Sequence, residues 1–159
     1  MDKLLEAHLK KHGIEYKEHR HKAVFTVAES KSIKQRIPGL HCKTLFLKDN
    51  AEVFYLVGMP AEKRFDSKRF REHFKIRKIR FGSEKELKEK INLVPGSVSI
   101  FGAIYIKDKG VKLIIDGKVW NDDNVGFHPN INTSTLELTH KNLERFYNSL
   151  NCEKEIVEL

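Results

Sequence analysis

The sequence predicts an α+β fold: a single domain over residues 1–159 in which helices flank a mixed, largely antiparallel sheet. Helical patterns and hairpin signals are interspersed without a regular βαβ alternation, which is typical of that class. The chain of 159 residues is long enough for one hydrophobic core, and it has no repeat or low-complexity linker to mark a domain boundary. A hydrophobic fraction of 40% with 10 Phe favours a folded, soluble protein.

The helices are predicted from apolar residues at helical spacing and from capping residues. Leucines at that spacing predict a first helix over 2–12, with Gly13 as its C-cap. Thr26 caps a short helix over about 27–34, which Pro38-Gly39 ends. Capping residues predict the other helices: 67–74 after Asp66, 84–90 with the Ser83–Glu86 capping box, and 140–149 after Thr139.

The strands are predicted from apolar runs and from alternation: 14–18, 44–48, 52–58, 76–81, 100–106, 111–115, 118–120 and 134–138. The turn 48–51 joins two of them into a hairpin, and Asp116-Gly117 predicts a second hairpin between 111–115 and 118–120.

The longest uncharged stretch runs from Ile91 to Ile106, 16 residues in a chain that is 33% charged. Its centre, residues 95–99, is a tight turn of small residues, which lets a ligand approach backbone N–H groups. The following segment, 100–106, is predicted as a buried strand interrupted by Gly102. Taken alone, a core strand entered through a turn is the simpler interpretation.

The chain is basic, with a net charge of +8 and a pI near 9.4. Nine Lys and Arg residues fall between 63 and 80, against Asp66 and Glu72. Such a cluster suits a phosphate backbone, and a solvated basic face explains it equally well. Cys42 and Cys152 are too few for a disulfide framework or a cysteine-built zinc site, which favours a reducing cytoplasm. The charged start of the chain is unlike a signal peptide, and no apolar run suits a membrane span.

Three segments could carry chemistry. Lys43 stands at the head of an apolar strand, where a charge is costly unless it faces a site. The uncharged loop 95–102 is the second segment. The third is 126–135, which is crowded with neutral hydrogen-bonding side chains. Each of them alone is more often structural.

Together these motifs resemble the YbaK/prolyl-tRNA-synthetase-associated editing domain family. The resemblance rests on Lys-x-Leu-Phe-Leu-Lys-Asp (43–49), Lys-Arg-Phe-Asp (63–66), Pro-Gly-Ser-Val-Ser-x-Phe-Gly (95–102), Asp116 after an apolar strand, and Phe-His-Pro-x-x-Asn-Thr-x-Thr (127–135). Residues 23–27 are similar to the N-terminal segment of that family, and the resemblance covers about residues 1–150.

The resemblance implies a free-standing aminoacyl-tRNA deacylase that acts in trans on mischarged tRNA, with Ala-tRNA(Pro) as the expected substrate. It implies a tRNA acceptor end as partner, an aminoacyl-tRNA synthetase as a further candidate partner, and neither a metal nor an organic cofactor. By the same resemblance, Lys43 lies beside the 3′-terminal adenosine and the loop from Gly96 to Ile100 lies near the scissile ester carbonyl. The terminal ribose hydroxyl is expected to help activate water.

The chemistry agrees with that expectation, because an aminoacyl ester is activated and needs only a held water and a stabilised oxyanion. Lys43 would supply charge, and N–H groups around Gly96 and Ser97 would contact the oxyanion. Expected substrate-binding residues are Thr44, Ile100, Phe101, Gly102, His128, Asn132 and Thr133. Expected tRNA-binding residues are Lys63, Arg64, Lys68, Arg69 and Arg71.

Two departures from the family pattern concern the substrate. Ile100 stands where the family usually has Pro, and Thr44 where many prolyl-type editors have Asn. Lys-Thr at this place looks more like the cysteine-directed or serine/threonine-directed branches, so those substrates stay open. A non-catalytic tRNA-binding module on the same fold also stays open.

Other chemistries are disfavoured. His8 and His12 lie one helical turn apart but lack the Cys/His partners of a zinc site. There is no G-x-S-x-G motif for a serine hydrolase, and Cys42 is interpreted as a buried structural cysteine.

Overall fold

The computed structural model describes residues 1–23 and 27–159, without the side chains of 27 and 28. Its α-helices are α1 (Lys3–Lys11), α2 (Val27–Arg36), α3 (Ser67–Phe74), α4 (Glu84–Ile91), α5 (Gly117–Trp120) and α6 (His140–Asn148), and a 3₁₀ helix spans Ile100–Tyr105. Its strands are β1 (Lys17–Arg20), β2 (Leu40–Asp49), β3 (Phe54–Pro60), β4 (Ile79–Phe81), β5 (Val111–Asp116), β6 (Asn124–Phe127), β7 (Ser134–Thr139) and β8 (Glu153–Val157).

The strands form one mixed sheet in the order β1-β7-β6-β2-β3-β5-β8, with β4 added beside β2. In the described part of the chain, the pairs β1–β7, β2–β3, β2–β4 and β6–β7 are antiparallel. The pairs β2–β6, β3–β5 and β5–β8 are parallel. The α+β class with a mixed, largely antiparallel sheet is therefore confirmed. The long strand β2 joins the two halves, since its start pairs with β6 and its end with β4.

Apolar side chains cover both faces of the sheet. One cluster contains Leu5 of α1, Ile91 of α4 and Phe146 of α6, together with Phe101. The other contains Phe70 of α3, packed against neighbouring residues of β2 and β3. Every residue of β3 is buried, as expected for a central strand covered by helices on both sides. Among the described residues, no helix is both long and apolar enough to span a membrane.

The capping residues place the helices as the sequence predicts. Asp66 accepts a hydrogen bond from the Arg69 N–H at 3.0 Å, and α3 begins directly after it. Ser83 and Glu86 form the reciprocal capping box of α4, and Thr139 caps α6. Gly13 follows α1 with a φ of +63°, the left-handed conformation that ends a helix. The predicted cap Thr26 lies outside the described residues.

The predicted strand over 100–106 is wrong, because the segment forms the 3₁₀ helix Ile100–Tyr105. Ser99 starts this helix, since its Oγ accepts from the Phe101 N–H and its carbonyl from the Gly102 N–H. A Cβ at Gly102 would lie 2.8 Å from Leu93 Cδ1, so the missing side chain allows close packing. The apolar run 100–106 therefore correctly indicates a buried segment, but that segment is helical and not a strand.

The predicted hairpin at Asp116-Gly117 is also wrong. Asp116 ends β5 and caps α5, with its Oδ1 accepting from the Lys118 N–H at 3.1 Å. Gly117 lies against the side chain of Glu158, where a Cβ would clash. The neighbours of β5 are instead the parallel strands β3 and β8.

Other boundaries shift. The first strand begins at Lys17 and not at 14, because Ile14 turns into the core and the Glu15 N–H donates to Asn142 Oδ1. The predicted strand 76–81 keeps only its last three residues, Ile79–Phe81. The sequence patterns missed β6 and β8, the first of which includes the start of the polar segment 126–135.

Candidate active site

A cavity of 190 Å³ opens at the start of β2. It is bounded by α2, by the His21 segment, and by residues of β2, β6 and β7. Its lining includes Lys43 of β2, Lys34 of α2, His128 and Thr135. We call it the Lys43 cavity. It brings together two of the three sequence segments that could carry chemistry, the one around Lys43 and the loop 126–135.

Lys43 is a partly buried cation without a counterion. Burial lowers the pKa of its ammonium group, and the nearby charge of Lys34 lowers that pKa further. Within the part of the chain that the structure describes, no carboxylate lies within ion-pair distance of Lys43. Lys34 pairs with the exposed Glu62 at 3.7 Å, so the uncompensated charge of the cavity is that of Lys43, which suits a phosphate or a developing oxyanion.

His128 lines the same cavity as a neutral base. Its Nδ1–H donates to the Ser134 carbonyl at 3.0 Å, because a carbonyl can only accept. Burial lowers the pKa of His128, and the charges of His21 and His41 lower it further. The hydrogen bond to the Ser134 carbonyl raises this pKa, but its effect is smaller than that of burial. The ring is therefore neutral near pH 7, with Nε2 as an acceptor that no described residue engages. Such an acceptor can take a proton from water.

Sequence reasoning missed two further histidines of this cavity, His21 and His41. The His21 ring stands edge-on to His128, with the ring centroids 6.0 Å apart. Its Nδ1–H donates to the Lys22 carbonyl, and its Nε2 forms a hydrogen bond with the Thr135 hydroxyl, each at 2.9 Å. Histidines on separate segments give no sequence signal of their own, since only the pairing of strands brings them together. They form an imidazole-lined wall around His128.

The loop from Gly96 to Ile100, which we call the glycine loop, lies beside the polar segment 126–135. Gly96 has a φ of +87°, which favours glycine, and a Cβ there would lie 3.8 Å from Asn132 Nδ2. The Ser97 N–H donates to the Val94 carbonyl at 3.1 Å, so it is engaged in the turn and not directed at an oxyanion. The Gly96 N–H has no partner among the described residues. Of the two expected oxyanion donors, Gly96 is thus the one with a free N–H.

The loop 128–133 links these features. The Thr133 carbonyl accepts from the His21 N–H at 2.9 Å, while the Thr133 residue itself is exposed. Asn130 has a φ of +63° and donates to Asp2 Oδ2 at 3.3 Å, which ties the loop to the cap of α1. Asn132 contacts the glycine loop and His128 lines the cavity, so the loop spans both places.

Four expected substrate-binding residues lie away from the Lys43 cavity. Ile100 and Phe101 are 0% exposed in the core, and Gly102 packs on Leu93. Thr44 points to the opposite face of β2 from Lys43, as neighbouring strand residues do, and its Oγ1 is buried without a hydrogen-bond partner in the described structure. The structure therefore places these residues where they hold the site and do not line it.

The expected tRNA-binding residues divide into two kinds. Lys63 Nζ pairs with Asp116 Oδ2 at 2.9 Å, and Asp116 is 0% exposed, so Lys63 neutralises a buried carboxylate. This ion pair explains Lys63 without an RNA contact, and its tRNA-binding role stays a prediction. Arg64, Lys68 and Arg69 are exposed, and no ion pair engages them in the described part of the chain. Arg71 is held by Ser67 Oγ and by the Arg77 carbonyl.

The described residues contain no group of three or more His, Cys, Asp or Glu side chains that could hold a metal ion. Burial raises the pKa of the Cys42 thiol well above its usual range, so Cys42 is an inert neutral thiol.

Comparisons with known proteins show the family of the chain. The model of the aminoacyl-tRNA editing domain matches residues 21–146, which include Lys43, the glycine loop and His128. The prolyl-tRNA editing protein ProX of Acetoanaerobium sticklandii is 28% identical over 140 residues, covering 87% of this chain and 85% of that protein. Prolyl-tRNA synthetase associated domain-containing protein 1 of Danio rerio is 27% identical over 146 residues, covering 91% and 79%.

Solved structures support the fold. A candidate trans-editing enzyme for prolyl-tRNA synthetase superposes with a TM-score of 0.75 at 15% identity, covering 98% of this chain and 93% of that one. The hypothetical protein APE2540 superposes with a TM-score of 0.73 at 21% identity, covering 94% and 97%. The family match spans most of the chain and includes the cavity residues. The chain therefore belongs to the aminoacyl-tRNA editing domain family, and its activity is that of an aminoacyl-tRNA deacylase.

Proposed function

We propose that the protein edits tRNA(Pro) in trans by hydrolysing the ester of Ala-tRNA(Pro). The observation that carries the proposal is the Lys43 cavity, where a cation without a counterion and a neutral histidine face the same small space. The prolyl-tRNA editing relative supports tRNA(Pro) as the carrier of the misplaced amino acid. This role places the protein in the cytoplasm, with the acceptor end of tRNA as its partner. A synthetase partner stays a prediction.

The reaction needs few groups, because the aminoacyl ester is already activated. Water attacks the ester carbonyl carbon while His128 Nε2 accepts a proton from it. The carbonyl oxygen becomes an oxyanion, which Lys43 can stabilise, and the free Gly96 N–H on the neighbouring glycine loop is a further candidate donor. The bond between the carbonyl carbon and the ribose oxygen then breaks, and the ribose oxygen takes up the proton that His128 Nε2 accepted, which returns His128 to its neutral form. The products are a free amino acid and an uncharged tRNA.

The size of the cavity supports a small amino acid. A volume of 190 Å³ is below the ~300–1,000 Å³ of most small-molecule sites, so the aminoacyl group enters and the nucleotide stays outside. The small volume favours alanine over a larger side chain such as that of threonine.

The test is deacylation of a panel of tRNAs charged with alanine, serine, threonine or cysteine. We expect the highest kcat/KM with Ala-tRNA(Pro). A preference for the cysteinyl or seryl ester would overturn the alanine assignment and favour the branch that Thr44 suggests. No turnover above the spontaneous rate with any substrate would overturn the enzymatic proposal and favour a tRNA-binding module.

A further inference from the structure

A second concave surface lies at the far end of β2, between α3, the turn after β2, and β4. Its volume is 480 Å³, and we call it the α3–β4 cleft. Its cationic lining residues are Lys48, Arg71, Arg77, Lys78 and Arg80. Among the described residues that line it, Asp49 is the one acid. The cleft is therefore strongly basic, and the proposed hydrolysis makes no use of it.

The carboxylate of Asp49 is turned inward. Its oxygens accept from the N–H groups of Ala51 and Val53 and from the Tyr55 hydroxyl, at 2.8 to 2.9 Å. Asp49 is 7% exposed, and its carboxylate is fully hydrogen-bonded within the turn after β2. The surface of the cleft therefore stays positive.

The five cations fall into two groups. Lys48 and Arg80 share the carboxylate of Glu86, with Nζ at 2.7 Å from Oε2 and the guanidinium at 3.1 Å from Oε1. These contacts hold β2 and β4 against α4. Arg71, Arg77 and Lys78 have no carboxylate within ion-pair distance in the described part of the chain. We call these three the cleft trio.

The cleft trio is held in place by neutral groups. The Arg71 Nε–H donates to Ser67 Oγ, and one of its terminal N–H groups donates to the Arg77 carbonyl, both at 3.3 Å. Asn50 Oδ1 accepts from the backbone N–H groups of Arg77 and Lys78, at 2.9 and 3.1 Å. This arrangement orders the segment while leaving its positive charges uncompensated, which suits an anionic ligand.

The α3 side of the cleft lies on the same face of β2 as Lys43. Alternation along a strand places Lys43, Leu47 and Asp49 on one face, and Phe70 of α3 packs against that face. Six residues of strand separate Lys43 from Asp49, a distance of about 20 Å at ~3.4 Å per residue. The cleft therefore lies several nucleotides of RNA backbone away from the Lys43 cavity.

We propose that the α3–β4 cleft binds the sugar-phosphate backbone of the acceptor arm of the same tRNA, several nucleotides before the 3′ end whose aminoacyl group enters the Lys43 cavity. The inference rests on the proposed function for the identity of the RNA. Arg71 and Arg77 supply planar guanidinium groups that match phosphate oxygens, and Lys78 adds a point charge. Phe81, next to Arg80 on β4, is 66% exposed, and its ring offers a surface beside the cleft on which an RNA base can stack.

The experiment measures the affinity of uncharged tRNA(Pro) transcript at a series of salt concentrations. The double variant Arg77→Ala/Lys78→Ala removes two exposed charges whose side chains make no ion pair in the described structure. We expect the slope of log K against log salt to fall in magnitude by about 1.4 to 1.8, the value for two lost phosphate contacts.

The matched control Lys10→Ala/Lys11→Ala removes two exposed lysines of α1, which packs on the other face of the sheet. Its slope should stay at the wild-type value.

Thermal unfolding of both double variants checks that they fold, and Arg77→Glu should weaken tRNA binding further than Arg77→Ala. An unchanged slope in the Arg77/Lys78 variant, or an equal loss in the Lys10/Lys11 control, overturns the proposal. Because the RNA is uncharged, the measurement is independent of turnover. A wild-type protein that deacylates no substrate but binds RNA through the cleft would overturn the proposed function and leave this surface standing.

Discussion

Two lysines, Lys43 and Lys63, were both expected from the sequence to contact the substrate, and the structure gives them opposite surroundings. Lys63 reaches a carboxylate, Asp116, that is 0% exposed and lies 2.9 Å from its Nζ. Lys43 lies in a cavity with Lys34 and histidines, and burial lowers the pKa of its ammonium group.

The difference teaches how to separate structural from functional charge. A buried carboxylate must be neutralised, so the lysine that reaches it is explained by stability alone. A partly buried lysine without a counterion lowers the stability of the protein when no ligand is bound. Such a lysine is explained if the site binds a negatively charged group. The two positions should therefore respond to mutation in opposite ways.

The largest effect on stability is expected for Lys63→Ala. The substitution leaves the carboxylate of Asp116 buried and unpaired, which should lower the free energy of unfolding by about 3 kcal/mol. Urea unfolding measures the change. The matched variant Asp116→Asn keeps a side chain that can cap α5, and in a Lys63→Ala/Asp116→Asn background most of the loss should disappear. A full loss in the double variant would mean that Lys63 stabilises the fold by packing alone.

The largest effect on activity is expected for Lys43→Ala. Removing one preorganised charge from a site of this kind lowers kcat by on the order of 10²-fold or more. Stability should be unchanged or raised, because a costly cation leaves a cavity. Single-turnover deacylation of Ala-tRNA(Pro) and thermal unfolding measure the two quantities. The control Lys112→Ala removes a lysine from β5 that pairs with Glu153 at the surface. Near-wild-type turnover by Lys43→Ala would place the catalytic charge elsewhere.

His128 should set the acid limb of the pH profile. A protonated imidazole cannot accept a proton from water, so kcat/KM falls as the pH drops below the pKa of His128. Burial lowers that pKa, which places the midpoint of the limb below about 6.5, the usual histidine value. His128→Asn keeps a donor for the Ser134 carbonyl but has no base, so the rate should fall about 10²-fold and the limb should disappear. The spontaneous hydrolysis rate is subtracted at each pH. A limb that survives in the variant would assign the base to another group.

Much of the fold could be predicted because capping chemistry is local. Asp66, Ser83 and Thr139 each bond to backbone within three residues, so their helices begin where the sequence predicts. The errors arise where a local signal has a distant competitor. Asp116-Gly117 has the chemistry of a hairpin turn. In the structure, however, the Asp116 carboxylate pairs with Lys63, and the Glu158 side chain packs against Gly117.

The candidate site could be predicted only in part, for a similar reason. Lys43 and His128 stand out as polar residues in apolar or turn-rich segments, and the structure brings both to one cavity. His21 and His41 reach the same cavity through the pairing of β1 with β7 and of β2 with β6, and no sequence spacing encodes those pairings. Ile100 looked like a site residue because it lies next to the glycine loop, yet its side chain fills the space left by Gly58 in β3.

The smallest effect is expected at Thr44, the residue next to Lys43 on the other face of β2. Its Oγ1 is buried and has no partner among the described residues, so the hydroxyl has lost its hydration without a hydrogen bond in return. Thr44→Val keeps the shape of the side chain and should raise the free energy of unfolding by about 1 kcal/mol. Deacylation of Ala-tRNA(Pro) should be unchanged, because the side chain does not share the face of Lys43. A fall in kcat/KM at unchanged stability would show instead that the hydroxyl contacts the substrate, as the sequence alone predicts, and that the cavity extends through the sheet to Gly58.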